Sequence, residues 1–163
     1  MQTLMRTLLQ AAVLVSLVLL LMQAGFVFAA AGQKQQEQTT LNVTPRGSSA
    51  GKRLFQVVLV CETEESREQG LQGFRKLAKD EAALFVFKAP SVVTFWMGTV
   101  SYPIDIVFIG PDGTVVNVVP HCQPGSSAMY GSGVAVARVI ETLAGSGIMF
   151  GDRIEIQHVL HAE

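Results

Sequence analysis

The side chains of this sequence that could do chemistry are aromatic and charged groups in its middle part. Trp96 is the single tryptophan, and it stands between Phe95 and Met97. Successive side chains of a strand point to opposite faces, so Trp96 faces away from both neighbours and forms either a pocket wall or ordinary packing. Small-ligand pockets combine apolar walls with a few polar groups. We therefore predict a ligand-binding surface beside the loop 120–133, formed by Arg75, Phe95, Trp96, Met97, Asp105, Tyr130 and Glu141.

The carboxyl of Asp105 lies within an apolar run, residues 104–109, that indicates a buried strand. An unpaired buried carboxylate is costly, so Asp105 requires a cation, several N–H donors or water. Its structural partner would be Arg75, Arg138 or a backbone turn. Alternatively, Asp105 and Glu141 form a carboxylate pair for acid/base catalysis, although their positions in the chain do not establish that they meet.

Cys61 and Cys122 are the only cysteines of the chain. In an oxidising compartment they could form one disulfide, which would stabilise the fold by roughly 4 kcal/mol by closing a loop of about 60 residues. The alternative is a reactive Cys122 thiol beside His121, although adjacent residues of an extended chain point apart. His121, His158 and His161 show no close ligand spacing, so we predict neither a metal site nor another cofactor.

The N-terminal segment, residues 1–31, has one charged residue, Arg6, followed by a nearly unbroken apolar run. With Ala29 and Ala31 at its end, this order is typical of a bacterial secretory signal peptide. We expect cleavage near these alanines and a protein that is secreted to the periplasm or the extracellular space. An uncleaved segment that anchors the protein in the membrane is the alternative.

The remaining chain has the composition of a small folded domain. Residues 32–51 are polar with almost no large apolar side chains, which predicts a flexible linker before a single domain over residues 52–163. Apolar content is high and there are only two cysteines, so a disordered chain and a disulfide-dense scaffold are both excluded. With 12 basic and 13 acidic residues and no basic run, nucleic acid is not an expected partner.

Within the domain, short runs rich in β-branched and aromatic residues predict strands. These runs span residues 54–60, 84–87, 92–97, 104–109, 114–119, 134–143 and 153–159. Thr63 as N-cap, acidic residues in the first turn and Gly70 at the end predict one short helix. Pro111, Asp112 and Gly113 predict a tight turn between two strands. We therefore expect a mainly β fold, a small β-sandwich or barrel-like domain with one short α-helix after the first strand.

A series of short motifs gives the domain a family resemblance. The motifs are Glu68-Gln69-Gly70-Leu71, Leu84-Phe85-Val86-Phe87, Phe95-Trp96-Met97, Pro103-Ile104-Asp105, Asp112-Gly113, Glu141, Ala144-Gly145 and Gly147-Ile148 with Phe150-Gly151-Asp152. In order and spacing they resemble the domain of unknown function 192 family, also called uncharacterised protein family 0127, over residues 54–159. The resemblance implies a mostly β, sandwich-like domain with a short helix, in members that are frequently exported. It implies no established reaction.

The chain departs from the usual pattern of that family at several positions, four of which bear on the predicted binding surface. Gln72 and Ala83 stand where relatives usually carry methionine, and Gly98 and Thr99 stand where they usually carry lysine and asparagine. The missing cation and amide lie directly after the Phe-Trp-Met motif. The resemblance therefore implies a changed binding surface in this chain.

These observations favour an exported cell-envelope protein that is a non-catalytic small-ligand-binding or accessory module. The balance is against an enzyme, because no nucleophile-base pair, metal-ligand spacing or phosphate loop is present. One alternative is a periplasmic hydrolase-like enzyme that uses Asp105 and Glu141. Another is a structural protein that binds an envelope partner through an exposed apolar patch. The expected partners are thus a small molecule or an envelope protein, with membrane contact only through an uncleaved N-terminal segment.

Overall fold

The computed structural model describes residues 36–47 and 51–161, which form a mainly β fold with one short helix. The strands are β1 (Gln36–Thr44), β2 (Arg53–Cys61), β3 (Glu81–Ser91), β4 (Thr94–Trp96), β5 (Ile104–Ile109), β6 (Val115–Cys122), β7 (Met129–Gly131), β8 (Val136–Leu143) and β9 (Arg153–His161), and the helix is α1 (Glu64–Gln69). The predicted signal peptide, residues 1–31, lies outside the described residues. Within the described ranges, no helix is long and apolar enough to cross a membrane.

Seven of the strands form one sheet in the order β6-β5-β8-β3-β2-β1-β9, which curls into a half-barrel. Strands β2 and β3 run parallel, whereas β8 is antiparallel to both of its neighbours, β3 and β5. A parallel pair requires a crossover connection, and α1 lies within that connection. Strands β6 and β9 stand at the two ends of this order. An isolated bridge between Thr114 and Arg153 brings their first residues next to each other.

The sheet buries a hydrophobic cluster on each of its faces. The inner cluster draws on all seven strands and is built from Leu41, Val43, Phe55, Ala82, Leu84, Val107, Ile109, Val115, Ile140, Ile148 and Ile154. The outer cluster includes Cys61, Leu71, Leu77, Ala83, Phe85, Met97, Tyr102, Ile106, Phe108, Cys122 and Val139. Because both clusters use β5, every residue of that strand is buried.

Strands β4 and β7 form a separate two-stranded ribbon. Phe95 pairs with Tyr130, and Trp96 pairs with Met129. Phe95 packs edge-on against Phe85 of β3, with ring centroids 5.0 Å apart. Trp96 points away and its side chain is 56% exposed. The predicted alternation around the tryptophan is thus confirmed, and the ribbon lies on the outer cluster through Phe95.

The helix begins and ends as its sequence predicts. The Thr63 hydroxyl accepts a hydrogen bond from the Ser66 N–H at 3.1 Å, and the Ser66 hydroxyl accepts one from the Thr63 N–H at 3.0 Å. Gly70 follows the helix with a φ of 48°, a conformation that favours glycine. A Cβ at Gly70 would also lie 3.2 Å from the ring of Phe85, so the helix end packs closely against β3.

The mainly β prediction and the short helix after the first predicted strand are confirmed. The flexible-linker prediction needs a correction, because residues 36–44 of that segment form β1. Leu41 and Val43 are fully buried in the inner cluster, and β1 pairs with β2 from Thr40 to Val43. Two buried side chains suffice here because the neighbouring strand supplies hydrogen-bond partners for the backbone. The predicted loop 120–133 likewise contains a strand, β7.

Candidate functional site

A cavity of about 570 Å³ opens between α1, the outer face of β3 and β8, and the ribbon. Helix α1 and the turn after it supply polar groups, and the strands supply aromatic ones. The principal lining residues are Glu64, Arg67, Glu68, Gln72, Phe85, Phe87, Thr94, Phe95, Trp96, Val100 and Glu141. This volume falls within the range of small-molecule sites.

Glu141 of β8 lies at the floor of this cavity. Its register partners are Ala83 on β3 and Ile106 on β5, both of which belong to the outer cluster. Glu141 is only 4% exposed, yet no described residue donates a hydrogen bond to its carboxyl or forms an ion pair with it. Burial away from water disfavours the charged form and raises the pKa of this carboxyl to about 8.

The cation at the cavity, Arg67 of α1, is held by partners other than Glu141. Its guanidinium donates to the carbonyl oxygens of Glu62 at 2.6 Å and Val86 at 3.1 Å. It also lies over the ring of Phe87, 5.2 Å from the centroid. Arg67 thus covers one edge of the cavity, and the buried carboxyl below it keeps no cationic partner among the described residues.

Three of the seven predicted site residues meet at this cavity, namely Phe95, Trp96 and Glu141. Phe95 contributes its ring to an aromatic wall with Phe85. Trp96 lines the mouth and keeps more than half of its surface free. The aromatic element that the sequence singled out is therefore part of the same site as the buried carboxyl.

Three other predicted site residues, Arg75, Met97 and Tyr130, do not line the cavity. Arg75 forms a bidentate ion pair with Glu81, with distances of 2.6 and 2.7 Å. Met97 is fully buried in the outer cluster. The Tyr130 hydroxyl donates to the Ser126 hydroxyl within the loop that precedes β7.

The carboxylate of Asp105 is fully occupied by the turn that follows β8 and by β6. One oxygen accepts from the His121 N–H at 2.9 Å. The other accepts from the N–H groups of Gly145 at 3.0 Å and Ser146 at 2.9 Å and from the Ser146 hydroxyl at 2.8 Å. Of the three structural partners considered for Asp105, namely Arg75, Arg138 and a backbone turn, the backbone turn is therefore the one that binds it.

Asp105 and Glu141 lie on opposite faces of the sheet. Glu141 pairs with Ile106, and Ile106 and Asp105 are successive residues of β5. Since successive side chains of a strand alternate, Asp105 shares the face of Val107 in the inner cluster, while Glu141 shares that of Ile106 in the outer one. The carboxylate pair of the hydrolase hypothesis is not formed.

Cys61 and Cys122 are free, buried thiols in this structure. Burial raises the pKa of each to about 11, with an added contribution from Glu141, and from Asp105 in the case of Cys122. A raised pKa keeps a thiol protonated and unreactive. Strands β5, β8 and β3 stand between β6 and β2 in the sheet. The disulfide stays a prediction, which a thiol count on unreduced protein can test.

The histidines do not gather into a metal site within the described residues, where no group of His, Cys, Asp and Glu could hold an ion. His121 has a positive φ of 55° and donates its N–H to Asp105. His158 lies within hydrogen-bond distance of the Thr39 hydroxyl at 3.2 Å. The side chain of His161 lies outside the described part.

Sequence reasoning missed most of the helix side of the cavity and two of its rings. Phe85 and Phe87 are two residues apart on one strand and thus share a face, a signal that could have identified them. Arg67 lines the cavity and the predicted Arg75 does not, because the crossover places α1 at the same cavity as Glu141. Gln72 also lines the cavity, and its side chain fills the space where a Cβ at Gly98 would stand, 2.8 Å from Gln72 Oε1. Two departures from the family pattern thus lie in contact.

Comparison with known proteins places this geometry in a recognised group. Residues 46–156 match the model of the family DUF192, described as "Uncharacterized ACR". A solved structure of a candidate transcription regulator from Sinorhizobium meliloti 1021 is 30% identical, with a TM-score of 0.66, over 77% of this chain and 97% of that one. A protein of unknown function from Novosphingobium aromaticivorans DSM 12444 is 27% identical, with a TM-score of 0.65, over 71% and 83%. No curated protein sequence matches.

Proposed function

We propose, from the premise that this chain belongs to the DUF192 family, that it is an exported small-ligand-binding module of the cell envelope. The cavity beneath α1 and the ribbon is its binding site. Export rests on the order of charge, apolar run and alanines in residues 1–31.

The observation that carries this proposal is the unpaired carboxyl of Glu141. Glu141 is only 4% exposed and borders the cavity, and without a partner among the described residues its carboxyl must be solvated by whatever occupies that cavity. Here the carboxyl borders an open cavity with aromatic walls. A ligand that offers a hydrogen-bond donor to Glu141 would satisfy the carboxyl and fill the cavity at the same time.

The competing function classes have less support. A hydrolase that uses two carboxylates requires both in one cleft, whereas Asp105 is saturated on the other face of the sheet. The Sinorhizobium relative is described as a candidate transcription regulator, but 12 basic against 13 acidic residues give this chain no excess charge to neutralise the phosphates of a nucleic acid. An envelope-protein partner would contact the exposed side of the ribbon, which leaves Glu141 unexplained.

The test of the binding function compares Trp96→Ala with a matched exposed aromatic residue away from the cavity, Phe150→Ala. Ligand-observed NMR with a mixed fragment library identifies binders to the wild-type protein. We expect Trp96→Ala to weaken their binding by about tenfold, the loss of one aromatic contact, and Phe150→Ala to leave it unchanged. Binders that respond equally to both changes, or a library without binders, would refute a site at this cavity.

A further inference from the structure

The cavity also indicates which class of ligand it takes. Resting on the proposed binding function, we propose that the ligand is an organic ammonium ion, whose N–H groups donate to the Glu141 carboxylate and whose apolar body lies against Phe85, Phe95 and Trp96. The proposal is built on the charge of the lining, the arrangement of the rings and the burial of the carboxyl.

The charges around the cavity favour a cation. Three carboxyl side chains line it, those of Glu64, Glu68 and Glu141, against one guanidinium, that of Arg67. Arg67 is already bound by two backbone carbonyls and the Phe87 ring. An anionic ligand would gain no charge partner from Glu141, whose carboxyl is mainly neutral at pH 7, and it would also meet the side chains of Glu64 and Glu68. A cationic ligand would instead supply the partner that Glu141 lacks.

The aromatic walls favour an organic cation over a metal ion. A positive charge near the face of an aromatic ring is attracted by the electrons of the ring, and Arg67 over Phe87 shows this contact at the edge of the same cavity. Phe85, Phe95 and Trp96 supply further rings. Metal ions require several oxygen, nitrogen or sulfur ligands, and no such group occurs among the described residues. An alkyl- or arylammonium ion satisfies both the carboxyl and the apolar walls.

The binding of such a cation must release a proton. Burial holds the pKa of Glu141 at about 8, so the carboxyl is mainly neutral at pH 7 and ionises when the cation binds. The other titratable groups in electrostatic contact with Glu141 are Cys61 on β2, Cys122 on β6 and Tyr102 before β5. The pKa of each is also raised, to about 11 for both thiols, so none of them ionises near pH 7. The charged groups that face the cavity from α1 are Glu64, Arg67 and Glu68.

The test uses three probes that share a phenethyl group and differ in the charge of the end group: phenethylammonium, 2-phenylethanol and 3-phenylpropionate. Binding to the full chain is measured by the fluorescence of Trp96, the single tryptophan at the cavity mouth, and by titration calorimetry in two buffers. We expect phenethylammonium to bind best, with a dissociation constant that falls about tenfold from pH 6 to pH 7 and levels off above pH 8, and with proton release.

Two variants test whether the pH dependence of phenethylammonium binding arises from the Glu141 carboxyl. Glu141→Gln should weaken phenethylammonium binding at least tenfold at pH 8 and abolish its pH dependence. Glu155→Gln, an exposed carboxyl that does not line the cavity, should change neither. If the glutamine variant fails to fold, the wild-type pH profile and the proton count still decide the matter.

Each outcome separates the ligand class from the binding function. Preferential binding of the alcohol or the acid, with effects of Trp96→Ala, would overturn the cation proposal and keep the cavity as a binding site. Affinity for phenethylammonium that is independent of pH would also overturn it. Failure of all three probes together with a library without binders would refute both proposals.

Discussion

At the residue scale, this protein contains two buried carboxyls with opposite surroundings. Asp105 accepts four hydrogen bonds from His121, Gly145 and Ser146, whereas Glu141 accepts none from the described residues. Both lie on neighbouring strands at adjacent register positions. The difference arises from the face of the sheet, because one face meets a turn rich in N–H donors and the other meets a cavity.

Replacement of the ionisable carboxyl of Glu141 by the amide of Gln should change how stability depends on pH. The folded chain keeps the proton of Glu141 up to a pKa of about 8, while the unfolded chain releases it near the ordinary value of 4.5. The stability that the neutral carboxyl provides is therefore full below pH 4.5 and lost as the pH rises to about 8. Between pH 5.5 and 7.5, the free energy of unfolding of the wild type should fall by about 1.4 kcal/mol per pH unit relative to Glu141→Gln.

Urea unfolding followed by circular dichroism across that pH range measures this difference. Glu155→Gln serves as the control, because its carboxyl is exposed and should leave the wild-type slope in place. Parallel stability curves for the wild type and Glu141→Gln would show that Glu141 is ionised or hydrated in the folded chain.

At the element scale, α1 and the ribbon are the two parts that enclose the cavity. The helix has no buried residues, so tertiary packing of its own side chains contributes little to holding it. Its position depends on the Thr63 cap, the close approach of Gly70 to Phe85 and the bonds of Arg67 to backbone carbonyls. The ribbon is held by the ring of Phe95 against Phe85 and Phe108.

The capping box should therefore be a measurable support of the fold. Thr63→Ala removes the acceptor for the Ser66 N–H, and the free energy of unfolding should decrease by about 1 kcal/mol. Thr99→Ala is the matched control, since its exposed hydroxyl has only a long contact of 3.5 Å with Gln72. Equal midpoints for the two variants in urea unfolding would mean that the cap contributes nothing to stability.

At the scale of the whole described fold, β1 completes the inner side of the curled sheet. Leu41 and Val43 enter the inner cluster, and the strand lies between β2 and β9 in the sheet order. Directly before β9, the buried carboxylate of Asp152 accepts from the Arg46 N–H at 3.0 Å and from Arg53 at 3.3 Å. The segment that precedes β2 is thus tied into the fold by burial and by hydrogen bonds.

This role of β1 predicts a large effect for a single apolar deletion. Leu41→Ala should lower the free energy of unfolding by about 3 kcal/mol, because it removes a fully buried side chain and leaves a cavity. Leu54→Ala, on a leucine that is 58% exposed, should cost far less. If the two variants unfold at the same urea concentration, residues 36–44 behave as the linker that their composition suggests.

The sequence by itself determined the elements whose cause is local. Residues 104–109 form the predicted strand, since an unbroken apolar run is long enough for a strand and too short for most helices. The turn around Asp112 forms as predicted, because the carboxylate accepts from the Thr114 N–H at 3.0 Å. Thr63 and Gly70 delimit the helix through contacts within a few residues. The opposite orientations of Phe95, which packs on Phe85, and of Trp96, which is exposed, also followed from strand alternation.

Only the tertiary structure decided which side chains meet. The crossover of α1 places Arg67 rather than Arg75 at the cavity, and Arg75 pairs instead with Glu81. The order of the strands sets Glu141 between Ala83 and Ile106 and directs Asp105 to the other face. Residues 36–44 form a strand because the edge of β2 supplies backbone hydrogen-bond partners and the inner cluster buries Leu41 and Val43. Such contacts join residues far apart in the chain, and strand order and register, which no local pattern contains, determine them.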